Sequence, residues 1–121
     1  MKAQELIELL KVVDTKLTAD MARLASFNQR RRDLETHARN LREQSGQYLV
    51  LDSNTLDPID FVLANNAREA RQASAAHFDQ QAQTLHPAIE TAKSAVRKNL
   101  AKKDVIETLL AEADAARKKA V

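Results

Sequence analysis

Residues 3–45 read AQELIELLKVVDTKLTADMARLASFNQRRRDLETHARNLREQS, with no Pro or Gly inside the run. Leu6, Val13, Asp20, Phe27, Leu34, Leu41 and, beyond the run, Tyr48 recur every seven residues. Leu10, Leu17, Leu24, Arg31, Ala38 and Ser45 form a second set with the same period. Together they make one stripe with a mean spacing of three and a half residues, the period at which one helix packs along another. Only Asp20, Arg31 and Ser45 break its apolar character. The flanking positions are mostly charged or amide residues, as a solvated outer face requires. The stretch therefore predicts a first coiled-coil arm over about 3–46.

Gly46 is the single glycine of the chain, and it is expected to end that arm in a left-handed turn. A connector is predicted over about 47–57, where charge is sparse and Asp52, Ser53, Asn54 and Thr55 favour turns. Asp57-Pro58-Ile59-Asp60 announces a second helix over about 58–119. There Asp57 can cap orphan N–H groups, and Pro58 suits the first helical position. Past Phe78 its stripe is regular: Phe78, Leu85, Ala92, Asn99, Ile106 and Ala113, interleaved with Ala82, Ile89, Val96, Lys103 and Leu110. Upstream, Ile59, Leu63, Ala70 and Ala73 suggest another phase and hence a stutter. Pro87 removes one backbone hydrogen bond, so a kink is expected there. A three-helix bundle would need a chain reversal at Pro87, and no turn-forming residues precede it.

The predicted fold is thus all-α: a long antiparallel two-helix coiled-coil hairpin, forming a single domain over 1–121 with the second helix the longer. Folding at the connector would set residue i opposite about 106 − i. The N-terminus would then meet Asp104 to Ile106, and the last fifteen or so residues would overhang.

Composition agrees with a narrow apolar seam. Hydrophobic residues make up 44%, yet there are only three Phe, one Tyr and no Trp, too little bulk for a broad core. The charge is nearly balanced, with 19 basic and 17 acidic residues. The basic runs Arg30–Arg32, Lys102–Lys103 and Arg117–Lys119 are short and fit solvated helix faces better than a nucleic-acid surface. There is no cysteine, so thiolate and disulfide chemistry are excluded. The amino-terminal residues lack the unbroken apolar core of a signal peptide, and a cytoplasmic location is expected. No catalytic, cofactor or metal site is predicted. Gly-rich phosphate loops are impossible with one glycine, and His37, His77 and His86 have no i, i+4 histidine partner.

Two segments are candidate contact surfaces. One is the apolar cluster from Tyr48 to Leu63, which a two-stranded tip cannot bury by itself. The other is the stripe Ile106, Leu109, Leu110, Ala113 and Ala116, which the predicted register leaves without an opposing helix.

The layout resembles the FliJ family of flagellar type III export proteins. The resemblance rests on the order of elements and on local patterns: Leu41 and Tyr48 late in the first helix, Asp60-Phe61 early in the second, and the Gln-rich residues 79–83. It is most specific in the late segment AKSAVRKNLAKKDVIETL, residues 92–109, which follows the form A-x-x-x-V/L-x-x-A/N-L-x-x-K-x-V-I-E-x-L. One helical turn from Tyr48 and from Phe61, Gln44 and Asn65 stand where the family has a further Tyr and Leu. The resemblance implies a non-enzymatic stalk and regulator for the ring of a FliI-like export ATPase. It also implies contacts with a FlhA-like export gate, cycling of export chaperones, and a peripheral place at the inner-membrane export apparatus. Leu41, Tyr48 and Phe61 would meet the gate. Lys102, Lys103, Ile106, Leu109, Leu110 and Arg117 would lie at the end that meets the ring. The competing readings are a generic coiled-coil adaptor or spacer, self-associating through Ile106–Leu110, and a helical nucleic-acid binder.

Overall fold

A computed structural model of the chain describes residues 2–47 and 57–120. They form three helices, α1 (Ala3–Gln47), α2 (Pro58–Thr84) and α3 (His86–Lys119). No strand occurs among the described residues. Helix α1 runs unbroken for 45 residues. Strong helix formers dominate it, and nothing in it removes a backbone donor. It continues through Gly46 to Gln47, and no described residue has a positive φ, so Gly46 is helical and not the left-handed stop expected of it. Asp57 does take the N-cap position of α2, with φ −60 and ψ 146, but makes no side-chain cap bond. The first turn closes instead through Phe61 N donating to Asp57 O at 3.0 Å. Pro58 occupies the first turn, where its missing N–H costs nothing.

The predicted second helix is interrupted at one residue. Leu85 stays in the right-handed helical region, at φ −77 and ψ −15, and its N–H bonds Ala82 O at 3.2 Å. Pro87 lies two residues on and cannot donate to the preceding turn.

The chain divides into two compact units, one of residues 1–26 and 87–121, the other of residues 27–86. Each is an antiparallel helix pair. In the first, α1 packs against α3: Leu6, Val13 and Ile106 form a buried cluster, with Leu10 and Leu110 packed on it. In the second, α1 packs against α2: His37 lies against Phe78 with ring centroids 5.6 Å apart, and Ser45 Oγ donates to Arg68 O at 3.5 Å. Helix α1 and the returning helices are therefore the two arms of a hairpin, as the seven-residue stripes predict.

Every seam position expected on α1, from Leu6 to Ser45, is buried or half-buried; Tyr48 lies outside the described residues. On the returning arm the inward residues are Ala64, Arg68, Arg71, Ala75, Phe78, Ala82, Leu85, Ile89, Ala92, Val96, Asn99, Lys103, Ile106, Leu110 and Ala113. Their spacing alternates four and three without a break. The expected stutter is absent, and Ala70 and Ala73, read as seam residues, are exposed. Arg68 and Arg71 hold those seam positions, where a long aliphatic stem can lie inward beneath a polar head.

The predicted register is also corrected. Asp14 faces Lys103 and Asp20 faces Asn99, so residue i lies opposite about 117–119 − i in this unit. The shift is about three helical turns. Near the connector Ser45 already meets Arg68, so the first ten residues of α2 precede that contact and only two residues of α1 remain opposite them. At the other end the shift shortens the overhang to the last few residues, because Ile106 and Leu110 pack on Leu6 and Val13.

Among the described residues Ile89 is the largest fully buried side chain, at 0% exposure. Ile89→Ala is expected to cost ~2–4 kcal/mol, the usual range for truncating a buried aliphatic residue. Leu100→Ala, at a position 44% exposed, should cost well under ~1 kcal/mol. Urea unfolding followed by circular dichroism measures both.

Candidate docking surfaces

The described residues contain no group of His, Asp or Glu arranged to hold a metal ion. Each histidine has a local role: His37 against Phe78, His77 Nε2 within 3.2 Å of Gln81 Nε2, and His86 on the wall of an open depression. That depression, about 470 Å³, belongs to the second unit and is lined by Arg31, Glu35, Asp79, Ala82, Gln83 and His86. Arg31 and Glu35 are 3.9 Å apart, and Asp79 is engaged by Arg42. These are exposed ion pairs, and such pairs contribute little. No described helix is long and apolar enough to cross a membrane.

The polar residues in the seam of the first unit are organised. Asn99 is buried, and its Nδ2 donates to Asp20 Oδ2 at 2.5 Å. One turn away Lys103 Nζ lies 3.1 Å from Asp14 Oδ1 and 4.0 Å from Glu107 Oε1. The Asp14 hydrogen bond, then its charge, raises the Lys103 pKa above the ordinary 10.5. Desolvation opposes the shift, and the charges of Glu107 and Asp104 add smaller increases. A raised lysine pKa favours the fold fully below the ordinary lysine value, and the contribution fades as pH climbs through the raised one. The pair is therefore intact at neutral pH.

Of the residues expected to meet an ATPase ring, Ile106 and Leu110 belong to the seam and Lys103 is paired across it. Arg117 is held by Asp114 at 2.8 Å. Lys102 and Leu109 are exposed. Both lie on a face that the sequence reading did not single out. An open groove of about 350 Å³, almost wholly apolar, is lined by Leu9, Val13, Ala101, Lys102, Val105 and Ile106. Its rims carry Leu9 on α1 and Val105 on α3, exposed by 38% and 59%. The sequence does hold a signal for it. Leu9 and Val12, and likewise Val105 and Leu109, are spaced three or four residues apart, a second apolar stripe beside the seam.

Of the residues expected to meet an export gate, Tyr48 lies outside the described residues. Leu41 is a half-buried seam residue, whereas Phe61 is 58% exposed. The Ser45–Arg68 contact separates their levels along the pair by about three turns. Phe61 has apolar company of another kind: Ile59, Val62 and Leu63 are each more than half exposed within the same two turns.

Asn99→Leu should leave the Asp20 carboxylate facing an apolar seam and cost ~1–3 kcal/mol. Adding Asp20→Leu should restore the parent stability or exceed it, since a fully apolar layer carries no desolvation cost. Spin-label distances in the double variant should broaden as neighbouring registers become populated. Asp14→Asn should bring the Lys103 titration back towards the ordinary lysine value, followed by NMR of the lysine side chain.

No family model, no curated protein and no solved structure matches this chain.

Proposed function

We propose that this chain is a non-enzymatic, protein-binding component of a type III protein export apparatus. In this reading it serves as a coiled-coil stalk or regulator of the export ATPase ring and links that ring to the export gate and chaperones. The observation that carries the protein-binding part is the start of α2. Four large apolar side chains, Ile59, Phe61, Val62 and Leu63, stand more than half in water on two adjacent turns. Contiguous exposure of this kind is a feature of contact surfaces. The export reading rests on the resemblance of residues 92–109 and of Asp60-Phe61 to the family's pattern. A generic adaptor is the second reading, and the same exposed cluster favours it equally.

The two readings separate in one assay. Purified chain added to a FliI-like ATPase should raise its turnover and promote ring assembly, and Lys102→Glu together with Leu109→Ala should weaken that effect. Phe61→Ala should reduce capture of a FlhA-like gate domain at least ~tenfold, the loss expected for an aromatic anchor. An unchanged ATPase rate and assembly state would leave the adaptor reading in its place.

A further inference from the structure

The groove beside the seam of the first unit has a charge pattern that identifies its occupant. On α1, Glu5, Leu9, Val12 and Lys16 follow one another at intervals of four, three and four, so they share one face. On α3, Lys102, Val105, Leu109 and Glu112 do the same at three, four and three. All eight are exposed. Leu9, Lys102 and Val105 line one groove, so the two faces adjoin. The register fixed by Asp14–Lys103 and Asp20–Asn99 brings Leu9 near the level of Leu109, and Val12 near Val105. It also brings Glu5 near Glu112, and Lys16 near Lys102. The composite surface therefore has an apolar middle, an acidic layer at one end and a basic layer at the other. None of these four charges has an ion-pair partner among the described residues, although Asp14, Lys103 and Glu107 on the opposite flank are paired.

Such a surface is complementary to itself when reversed end for end. A two-fold axis across the helices, passing between the Leu9–Leu109 and Val12–Val105 layers, sets Glu5 of each copy opposite Lys16 of the other. The same axis sets Glu112 opposite Lys102. The charges lie five or six residues from that axis on either side, so both pairs form together. A parallel arrangement would stack acid on acid and base on base. An isologous contact needs this self-match, and charge placed this way selects orientation.

We propose that the face of Leu9, Val12, Val105 and Leu109 docks on the same face of a second copy of this chain, with the ends reversed, giving a four-helix contact. The proposal does not depend on the export reading. It also differs from self-association through Ile106 and Leu110, which are engaged within the chain.

Sedimentation equilibrium of the full chain tests it. The expected mass is twice 13.5 kDa at micromolar concentration. Val105→Glu should raise the dimer dissociation constant by at least ~tenfold with helicity unchanged. Ile7→Glu, at another exposed apolar site but off this face, should leave the dimer intact. The decisive arm is a charge swap. Glu5→Lys with Glu112→Lys, and separately Lys16→Glu with Lys102→Glu, should each weaken the dimer, and an equimolar mixture of the two variants should restore it as a heterodimer. A wild-type monomer up to about 100 μM would overturn the proposal, leaving the face to a different protein. So would a dimer indifferent to Val105→Glu, or a mixture in which no heterodimer forms.

Discussion

Two paired helices share a single seam, and each contributes one stripe to it. Any large apolar side chain off that stripe stays in water unless something else covers it. Both units obey this constraint. The seam alternates four and three without a break on both arms, from Leu6 to Ser45 and from Ala64 to Ala113. The buried set mixes large aliphatics such as Leu6, Leu34, Ile89 and Ile106 with Ala38, Ala75, Ala82 and Ala92, which bury small area. The exposed Leu9, Val105, Phe61 and their neighbours are thus a consequence of the architecture as well as of the sequence.

The class of fold was legible because it needs only periodicity. The α1 stripe and the late α3 stripe are long, and tertiary structure had no reason to override them. The start of α2 followed from Pro58, whereas Gly46 did not end α1 as expected and the returning arm is interrupted at Leu85. The misreadings have two origins. At Arg68 and Arg71 the seam is held by residues whose heads are polar, and a count of apolar residues drifts instead to Ala70 and Ala73. The register was misplaced because it was measured from the middle of the connector. An antiparallel pair takes its register from side chains that fit, here Asp20 on Asn99 and Lys103 on Asp14, and the connector need not be symmetric about them.

The candidate surfaces were harder to find for a related reason. A stripe on one helix is visible in sequence, but a face made of two helices depends on their register. With the register misjudged by three turns, Ile106 and Leu110 looked free and the neighbourhood of Leu9 and Leu109 could not be seen. The resemblance in residues 92–109 drew attention to α3 without telling its seam residues from its exposed ones. Geometry separates them: Ile106 is buried, while Val105, one residue earlier, is among the most exposed apolar residues of the chain.

The polar layers in the seam connect these points. A heptad slip of α3 along α1 would keep most of the apolar seam in phase, because seven residues restore the stripe. It would not keep the composite face, since Leu9 would then stand beside residue 102 or 116 and not near Leu109. A seam of aliphatic residues alone discriminates weakly between such registers. A buried amide bonded to a carboxylate discriminates strongly, because a slip leaves both groups in a partly dry interface without their partners. Asp20 and Asn99 look like defects when the seam is judged by stability alone. Their consequence is to align two outer stripes into one surface, and the exposed face therefore depends on the least apolar layer of the seam.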